Sequence, residues 1–111
     1  MKLLPSLKQV KRYILFDLIS GKKFEFSEVE AEVNSALLLF LGQLGMAKVS
    51  PLLIKERYKN NKFILKVNHK YVDEAIAAMM LIKSIKGVPV IIKSVTTSGT
   101  IRKAAEKIKE K

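Results

Sequence analysis

The chain has 111 residues, of which 49% are hydrophobic, and it carries 21 Lys and Arg against 10 Asp and Glu, a net charge of +11. This length and apolar fraction predict one folded domain and exclude intrinsic disorder for most of the chain. The absence of cysteine excludes a disulfide framework and a thiolate metal site, and the positive charge predicts attraction to a polyanion or an anionic surface.

Residues 1–10 are interpreted as a basic N-terminal extension. This segment, MKLLPSLKQV, lacks the uninterrupted apolar core of a signal peptide, so we expect a cytoplasmic protein without membrane association. The run RYILFDLIS predicts a first strand from Tyr13 to Ile19, and the SGKK tract at its end predicts a turn.

The first helix is predicted to begin at a capping box formed by Ser27 and Glu30 and to end near Leu44, with Gly45 as the left-handed residue after it. Val33 to Ala47 contains no charge, which raises the alternative of a membrane span. The run is shorter than the ~20 residues of a span and contains Asn, Ser, Gln and two Gly. A buried helix is therefore predicted.

The rest of the chain predicts two strands, a helix, a strand and a last helix. The strands at 48–57 and 62–67 are joined by the polar tract YKNN, which suits a hairpin. Asn68 is expected to cap a helix over 71–85, which Gly and Pro then end. A strand at 90–95 and a basic helix at the C-terminus complete the pattern.

The order strand, helix, strand, strand, helix, strand predicts an α+β fold of the ferredoxin-like, RRM-like split βαβ type, with helices on one face of an antiparallel sheet. We expect the sandwich to span residues 11–98 and the C-terminal helix to span 99–111. Both sides of the first strand are largely apolar, so the second sheet face should also be covered. Terminal segments or another protein could cover it, and we favour another protein.

No set of residues in the sequence could run a reaction alone. The single histidine, His69, is expected to be a surface or capping residue. Four glutamates cluster at the start of the first helix: Glu25, Glu28, Glu30 and Glu32. A two-metal site instead needs carboxylates that converge from several elements. We therefore expect no catalytic residue, and no metal or cofactor bound by the protein.

Basic residues form three clusters: before the first strand, around the hairpin and in the last helix. A solvated charged surface explains any one of them, but three in one small domain favour RNA or DNA, because neutralised phosphates release counterions. The strand KFILKVN has one aromatic residue and no glycine, unlike the signature with which RRM domains stack bases. We therefore expect recognition of backbone and shape more than base stacking.

The stretch TTSGTIRK, residues 96–103, predicts a loop that leads into the last helix, with Thr100 or Ser98 as the N-cap. Arg102 and Lys103 then occupy the first helical turn, where the helix dipole disfavours cations but attracts a phosphate that they could bind. An ordinary capped helix with solvent-facing cations explains them equally well. The candidate RNA contacts are Lys11, Arg12, Tyr13, Ser98, Thr100, Arg102 and Lys103.

Four segments of the chain, KRYILFDLIS, LLLFLGQLGMAKVSPLLIK, YVDEAIAAMMLIKSIKGVPVIIK and SGTIRKA, resemble in the same order the archaeal ribonuclease P protein component 2 family, relatives of the small Pop-type subunit of the eukaryotic enzyme. The resemblance implies an RNA-binding subunit, noncatalytic on its own, of the ribonucleoprotein that removes 5′ leaders from precursor tRNA. In that family the RNA carries catalysis and its Mg²⁺ ions. The implied partners are the ribonuclease P RNA, precursor tRNA in the complex, protein component 3 and a second copy of the chain.

Three rival interpretations come from other classes. A ribosomal or other ribonucleoprotein component of the same fold is separated from the first interpretation by the resemblance alone. A small acylphosphatase shares the topology but needs an Arg-bearing, glycine-rich phosphate loop after the first strand, where this chain has SGKK. A small-molecule-sensing regulatory domain is disfavoured by the net charge of +11.

Overall fold

The computed structural model describes residues 10–106. Residues 1–9 of the predicted N-terminal extension and residues 107–111 of the C-terminal helix predicted over 99–111 lie outside the described residues. The strands are β1 Lys11–Ile19, β2 Leu52–Leu53, β3 Lys62–Asn68, β4 Ser84–Ile85, β5 Val88–Pro89 and β6 Ile91–Ser98. The helices are α1 Phe26–Val49, α2 Val72–Met80 and α3 Ile101–Glu106, with 3₁₀ turns at Lys55–Arg57 and His69–Tyr71. None of the helices within 10–106 is both long and apolar enough to cross a membrane.

The main sheet has four strands in the order β2-β3-β1-β6, and every neighbouring pair is antiparallel. β1 is central and pairs with β3 on one side and β6 on the other. The two crossovers, α1 and α2, both belong to the layer that packs on one sheet face. The ferredoxin-like split βαβ fold predicted from the sequence is therefore confirmed.

The main core lies between the sheet and the layer of α1 and α2. Ile14, Phe16 and Leu18 of β1 point into it, because alternate residues of a strand face the same side. The rings of Phe16 and Phe63 stack across the β1–β3 pair with centroids 5.2 Å apart. Three fully buried α1 residues complete the layer at helical spacing: Val29, Val33 and Leu37.

The second face of the sheet carries a smaller core, which α3 covers. Leu15 of β1 and Ile64 of β3 are fully buried there beneath Ala104 and Ala105 of α3. The small alanine side chains allow the helix backbone to approach the sheet closely. Our expectation that another protein covers this face is therefore wrong for its centre, because a terminal segment of the chain itself buries it.

The first helix departs from its predicted ends. Its N-cap is Glu25, whose amide donates to Glu28 Oε1 at 3.0 Å in a capping box, two residues before the predicted box at Ser27. Gly42 has φ 74 and ψ 175, so the helix kinks there instead of ending at Gly45. It continues to Val49, and the left-handed residue that ends it is Ser50, whose amide donates to the Met46 carbonyl at 2.8 Å.

Two further predicted elements are wrong in extent. The strand expected at 48–57 reduces to Leu52–Leu53, because Lys48 and Val49 belong to α1 and the chain then forms a 3₁₀ turn. The helix expected at 71–85 ends at Met80, and a β4–β5 hairpin follows it. Lys86 and Gly87 both have positive φ (54° and 80°), the conformation of a type I′ hairpin turn.

A buried hydrogen-bond network around Asn61 fixes the chain between β1 and α1. Asn61 Oδ1 accepts the Phe24 amide at 3.0 Å, and its Nδ2 donates to the Lys22 carbonyl at 2.9 Å. The Tyr58 hydroxyl lies 3.1 Å from Asn61 Oδ1 and also contacts the Phe24 carbonyl. Burial, followed by repulsion from the Glu25 and Glu28 carboxylates, raises the pKa of the Tyr58 hydroxyl.

Candidate nucleic-acid interface

Strand pairing brings together the two segments that hold the candidate RNA contacts. Tyr13 of β1 lies opposite Ser98 of β6 in the antiparallel register, so Lys11 and Arg12 lie beside the loop that follows Ser98. A methyl group placed on Gly99 would be 3.9 Å from Arg12 Nη1, which puts the guanidinium next to that loop. Because Tyr13 pairs with Ser98, two segments some 85 residues apart in the chain form one surface.

Thr100 is the cap of α3. Its Oγ1 accepts the Lys103 amide at 3.3 Å, and its carbonyl accepts the Ala104 amide at 3.3 Å. Ser98, the other predicted cap, is instead the last residue of β6. Because Ala104 and Ala105 face the sheet, Arg102 and Lys103 are exposed to solvent next to the Gly99 loop.

Tyr13 has a mainly structural environment. It is half-buried and, like Ile101, packs against the Leu15–Ile64 cluster under α3. RRM domains stack bases on the centre of this sheet face, but here Ala104 and Ala105 occupy that place. The centre of this face is therefore closed to base stacking, and the cations around it lie at its margin.

Lys66 and Lys70 join this margin, although neither is among the candidate contacts named from the sequence. Lys66 lies opposite Tyr13 in the β1–β3 register, and both side chains point to the second face. Lys70 is exposed just after Asn68, which pairs with Lys11. The alternation of KFILKVN places Lys66 on this face, but the register that sets it against Tyr13 is visible only in the structure.

The basic cluster predicted around the hairpin is split in two. Lys62 lies at the other end of β3 from Lys66, and its Nζ is 3.7 Å from Asp17 Oδ1. Three further cations precede it at that end and are exposed: Lys55, Arg57 and Lys59. The positively charged margin near Gly99 therefore consists of Lys11, Arg12, Lys66, Lys70, Arg102 and Lys103, and we call it the basic margin.

Within residues 10–106, the single histidine and two of the four glutamates at the start of α1 make hydrogen bonds that hold the fold. The exposed His69 is tied to the chain before β1: its amide donates to the Val10 carbonyl at 2.8 Å, and its Nδ1 is 3.1 Å from the same oxygen. Glu25 and Glu28 are used to cap α1. Among these residues no three His, Cys, Asp or Glu side chains form a group that could hold a metal ion.

Known proteins resemble the chain over most of its length. The model of the Rpp14/Pop5 family matches residues 12–109. Ribonuclease P protein component 2 of Pyrococcus furiosus is 36% identical over 103 residues, which cover 93% of this chain and 86% of the relative. The protein of the same name from Methanocaldococcus jannaschii is 36% identical over 100 residues, covering 90% of this chain and 73% of that one.

A structural relative agrees on the fold. A chain in the cryo-EM structure of yeast ribonuclease MRP superposes with a TM-score of 0.67, covering 93% of this chain and 88% of its own length, at 14% sequence identity. At that identity the likeness concerns the fold alone, and it matches the sheet and helix order described above. By the match of the family model and the identity to its archaeal relatives, this chain belongs to the Rpp14/Pop5 family.

Proposed function

We propose that this chain is an RNA-binding protein subunit of ribonuclease P, the ribonucleoprotein that removes 5′ leaders from precursor tRNA. Its close similarity to archaeal proteins named ribonuclease P protein component 2, over most of both lengths, carries the proposal. In this proposal the subunit is noncatalytic and acts in the cytoplasm, while the RNA supplies the reaction and holds its Mg²⁺ ions. The chain would bind the ribonuclease P RNA, reach precursor tRNA through it, and pair with protein component 3 and with a second copy of itself.

The basic margin is the surface we assign to the RNA. Its cations come from β1, β3, the 3₁₀ turn after β3 and α3, which together hold them at one end of the sheet. Each phosphate that such a cation neutralises releases condensed counterions, so binding gains entropy and weakens with salt. By offsetting repulsion between RNA phosphates, the subunit would lower the Mg²⁺ concentration that the catalytic RNA needs to hold its fold.

A matched pair of triple variants tests this assignment. Lys66→Gln, Arg102→Gln and Lys103→Gln together remove three charges from the basic margin. Lys55→Gln, Arg57→Gln and Lys59→Gln remove three exposed charges from the opposite end of the sheet. Both sets lower the net charge equally, so a difference in RNA affinity between the two variants reports the position of the charges and not their number.

Binding to the ribonuclease P RNA is measured at several salt concentrations. In the basic-margin variant, the plot of log affinity against log salt should become shallower by about 2, because each lost phosphate contact removes roughly 0.7–0.9 from the slope. In the opposite-end variant the slope should stay close to that of the unmodified protein. Equal losses in both variants would show that the RNA responds to total charge and has no preferred surface here.

A further inference from the structure

His69 is joined to the chain before β1 by two hydrogen bonds to one carbonyl oxygen. Its amide donates to the Val10 carbonyl at 2.8 Å, and its ring Nδ1 lies 3.1 Å from the same oxygen. A carbonyl oxygen only accepts hydrogen bonds, so the proton of the second contact belongs to Nδ1. The contact joins residues 59 positions apart in the chain, and it fixes the direction of the ring at the surface.

The proton on Nδ1 decides what the other ring nitrogen can do. In a neutral imidazole one nitrogen donates and the other accepts, so Nε2 of His69 carries a lone pair. Nε2 points away from the Val10 carbonyl, and His69 is exposed. Within residues 10–106 no group forms a hydrogen bond with Nε2. The ring therefore presents an oriented and unused acceptor to solvent.

This acceptor lies within the basic margin. Val10, which the ring contacts, directly precedes Lys11, and Lys70 directly follows His69. Lys11 pairs with Asn68 across β1 and β3, so the ring lies at the same strand ends as both cations. The side chains of Lys and Arg have only donors, which suit phosphate oxygens. Because RNA and DNA carry the same phosphates, such contacts do not distinguish ribose from deoxyribose.

The 2′-hydroxyl that distinguishes RNA is both a donor and an acceptor, so its proton needs an acceptor on the protein. Two side-chain acceptors at this end of the sheet are already used by backbone amides. Asn68 Oδ1 accepts the Lys70 amide at 3.1 Å, and Thr100 Oγ1 accepts the Lys103 amide at 3.3 Å. Nε2 of His69 is an acceptor without such a partner among the described residues.

We propose that His69 is a ribose contact, whose Nε2 accepts a hydrogen bond from a 2′-hydroxyl of the bound RNA while the neighbouring cations bind its phosphates. The inference rests on the proposed function, since it assigns a contact within the surface that is given to the RNA. It predicts that the chain distinguishes RNA from a nucleic acid of the same shape that lacks the hydroxyl proton. The alternative is that His69 only holds the chain before β1 in place through Nδ1.

Two substitutions separate the roles of the two ring nitrogens. His69→Asn keeps an N–H donor near the position of Nδ1 and removes the acceptor at Nε2. His69→Gln has a longer side chain, whose amide oxygen reaches the position of Nε2, and it lacks the donor at Nδ1. The purified full chain and both variants are titrated at about pH 8, so that imidazole is neutral. The probes are an RNA hairpin and the same hairpin with 2′-fluoro riboses, which keep the A-form shape but have no hydroxyl proton.

The unmodified chain should bind the ribose hairpin about two- to tenfold more tightly than the 2′-fluoro hairpin, the range that one hydrogen bond supplies. His69→Asn should lose most of this preference, and His69→Gln should keep part of it. A purely structural role gives the opposite order: His69→Asn would bind as the unmodified chain does, and His69→Gln would bind both hairpins more weakly.

The inference is overturned if the unmodified chain binds the two hairpins equally, or if His69→Asn keeps the full preference for ribose. Failure of the proposed function has a different signature. The unmodified chain would then fail to stimulate cleavage of precursor tRNA by the ribonuclease P RNA, whatever its preference between the two hairpins.

Discussion

The buried Asn61 should contribute more to stability than its exposed neighbour Asn60, because the Asn61 amide joins three parts of the chain. Replacement by Ala removes the acceptor of the Phe24 amide and the donor to the Lys22 carbonyl. Phe24 is only 4% exposed, so its N–H would lose its partner in a buried site, at a cost of about 1–3 kcal/mol. The Lys22 carbonyl can turn to water, and its lost bond costs about 1 kcal/mol.

Backbone conformation adds to the cost of the Asn61→Ala change. Asn61 has φ 61, where Ala is less favourable than Asn by up to about 1 kcal/mol. Together these effects predict a loss of about 2–5 kcal/mol in the free energy of unfolding. The adjacent Asn60 provides the control: it has φ 50 and is exposed, so Asn60→Ala should lose only the backbone part, about 1 kcal/mol.

Urea denaturation followed by circular dichroism measures both variants, and equal m-values would show that the unfolded states are comparable. The expected result is a midpoint for Asn61→Ala well below that for Asn60→Ala. If the two variants lose the same stability, the Asn61 amide contributes nothing beyond its backbone conformation, and the hydrogen-bond reasoning is refuted.

Three further predictions concern the kink, a titration and the docking of α3. Gly42→Ala should lower the free energy of unfolding by about 1–3 kcal/mol, because the φ and ψ of Gly42 fall in a region that only Gly adopts readily. At both Gly42 and Gly21 an added methyl group meets nothing within 4 Å, so Gly21→Ala is the control and should lose much less stability in the same urea titration. Burial and two nearby carboxylates raise the Tyr58 pKa, so the unfolded chain loses that proton first and stability should fall as the pH rises above about 10. Tyr58→Phe should remove this component of the decline, and an identical pH profile in the variant would contradict it. Ala104→Glu should detach α3 from the sheet, because it buries a carboxylate in an apolar contact. The Leu15 side of the sheet would then be exposed and should bind a hydrophobic dye. Lys103→Glu changes an exposed site of the same helix and should not increase dye binding.

The sheet was predictable from the sequence because its signals are local and repeated. Short runs of apolar residues rich in β-branched and aromatic types, RYILFDLIS and KFILKVN, identify β1 and β3, and the order of elements leaves few topologies. Asn68 was also identified as a cap, and its side chain accepts the Lys70 amide at 3.1 Å at the start of the turn into α2. These features depend on neighbours in the chain, which a sequence displays directly.

The errors arose where tertiary contacts decide between two local signals. Ser27 and Glu30 match a capping box, but Phe24 is held by Asn61, and this places the start of α1 two residues earlier. Gly42 and Gly45 are equally plausible helix breakers in the sequence, and only the path of the folded chain selects Gly42. Pairing across 37 residues, as between Phe24 and Asn61, leaves no trace in local propensity.

Part of the candidate site was predictable because its signals are also local. The segments around Arg12 and Arg102 were identified by charge and loop chemistry, and the structure brings both to Gly99. Lys66 was missed as a contact because its place beside Tyr13 follows from strand register. The cover of Leu15 by Ala104 was likewise unpredictable, since small residues in a basic helix give no sign of the surface they contact.

Cleavage of precursor tRNA by the matching ribonuclease P RNA at limiting Mg²⁺ is the most direct test of the proposed function. The reaction is run with protein component 3 alone and then with this chain added. The proposal predicts strong stimulation that requires both proteins, and a weaker effect for the variant that lacks Lys66, Arg102 and Lys103. No stimulation, with RNA binding intact, would contradict it and would leave a basic RNA-binding domain that is not a functional subunit of this enzyme.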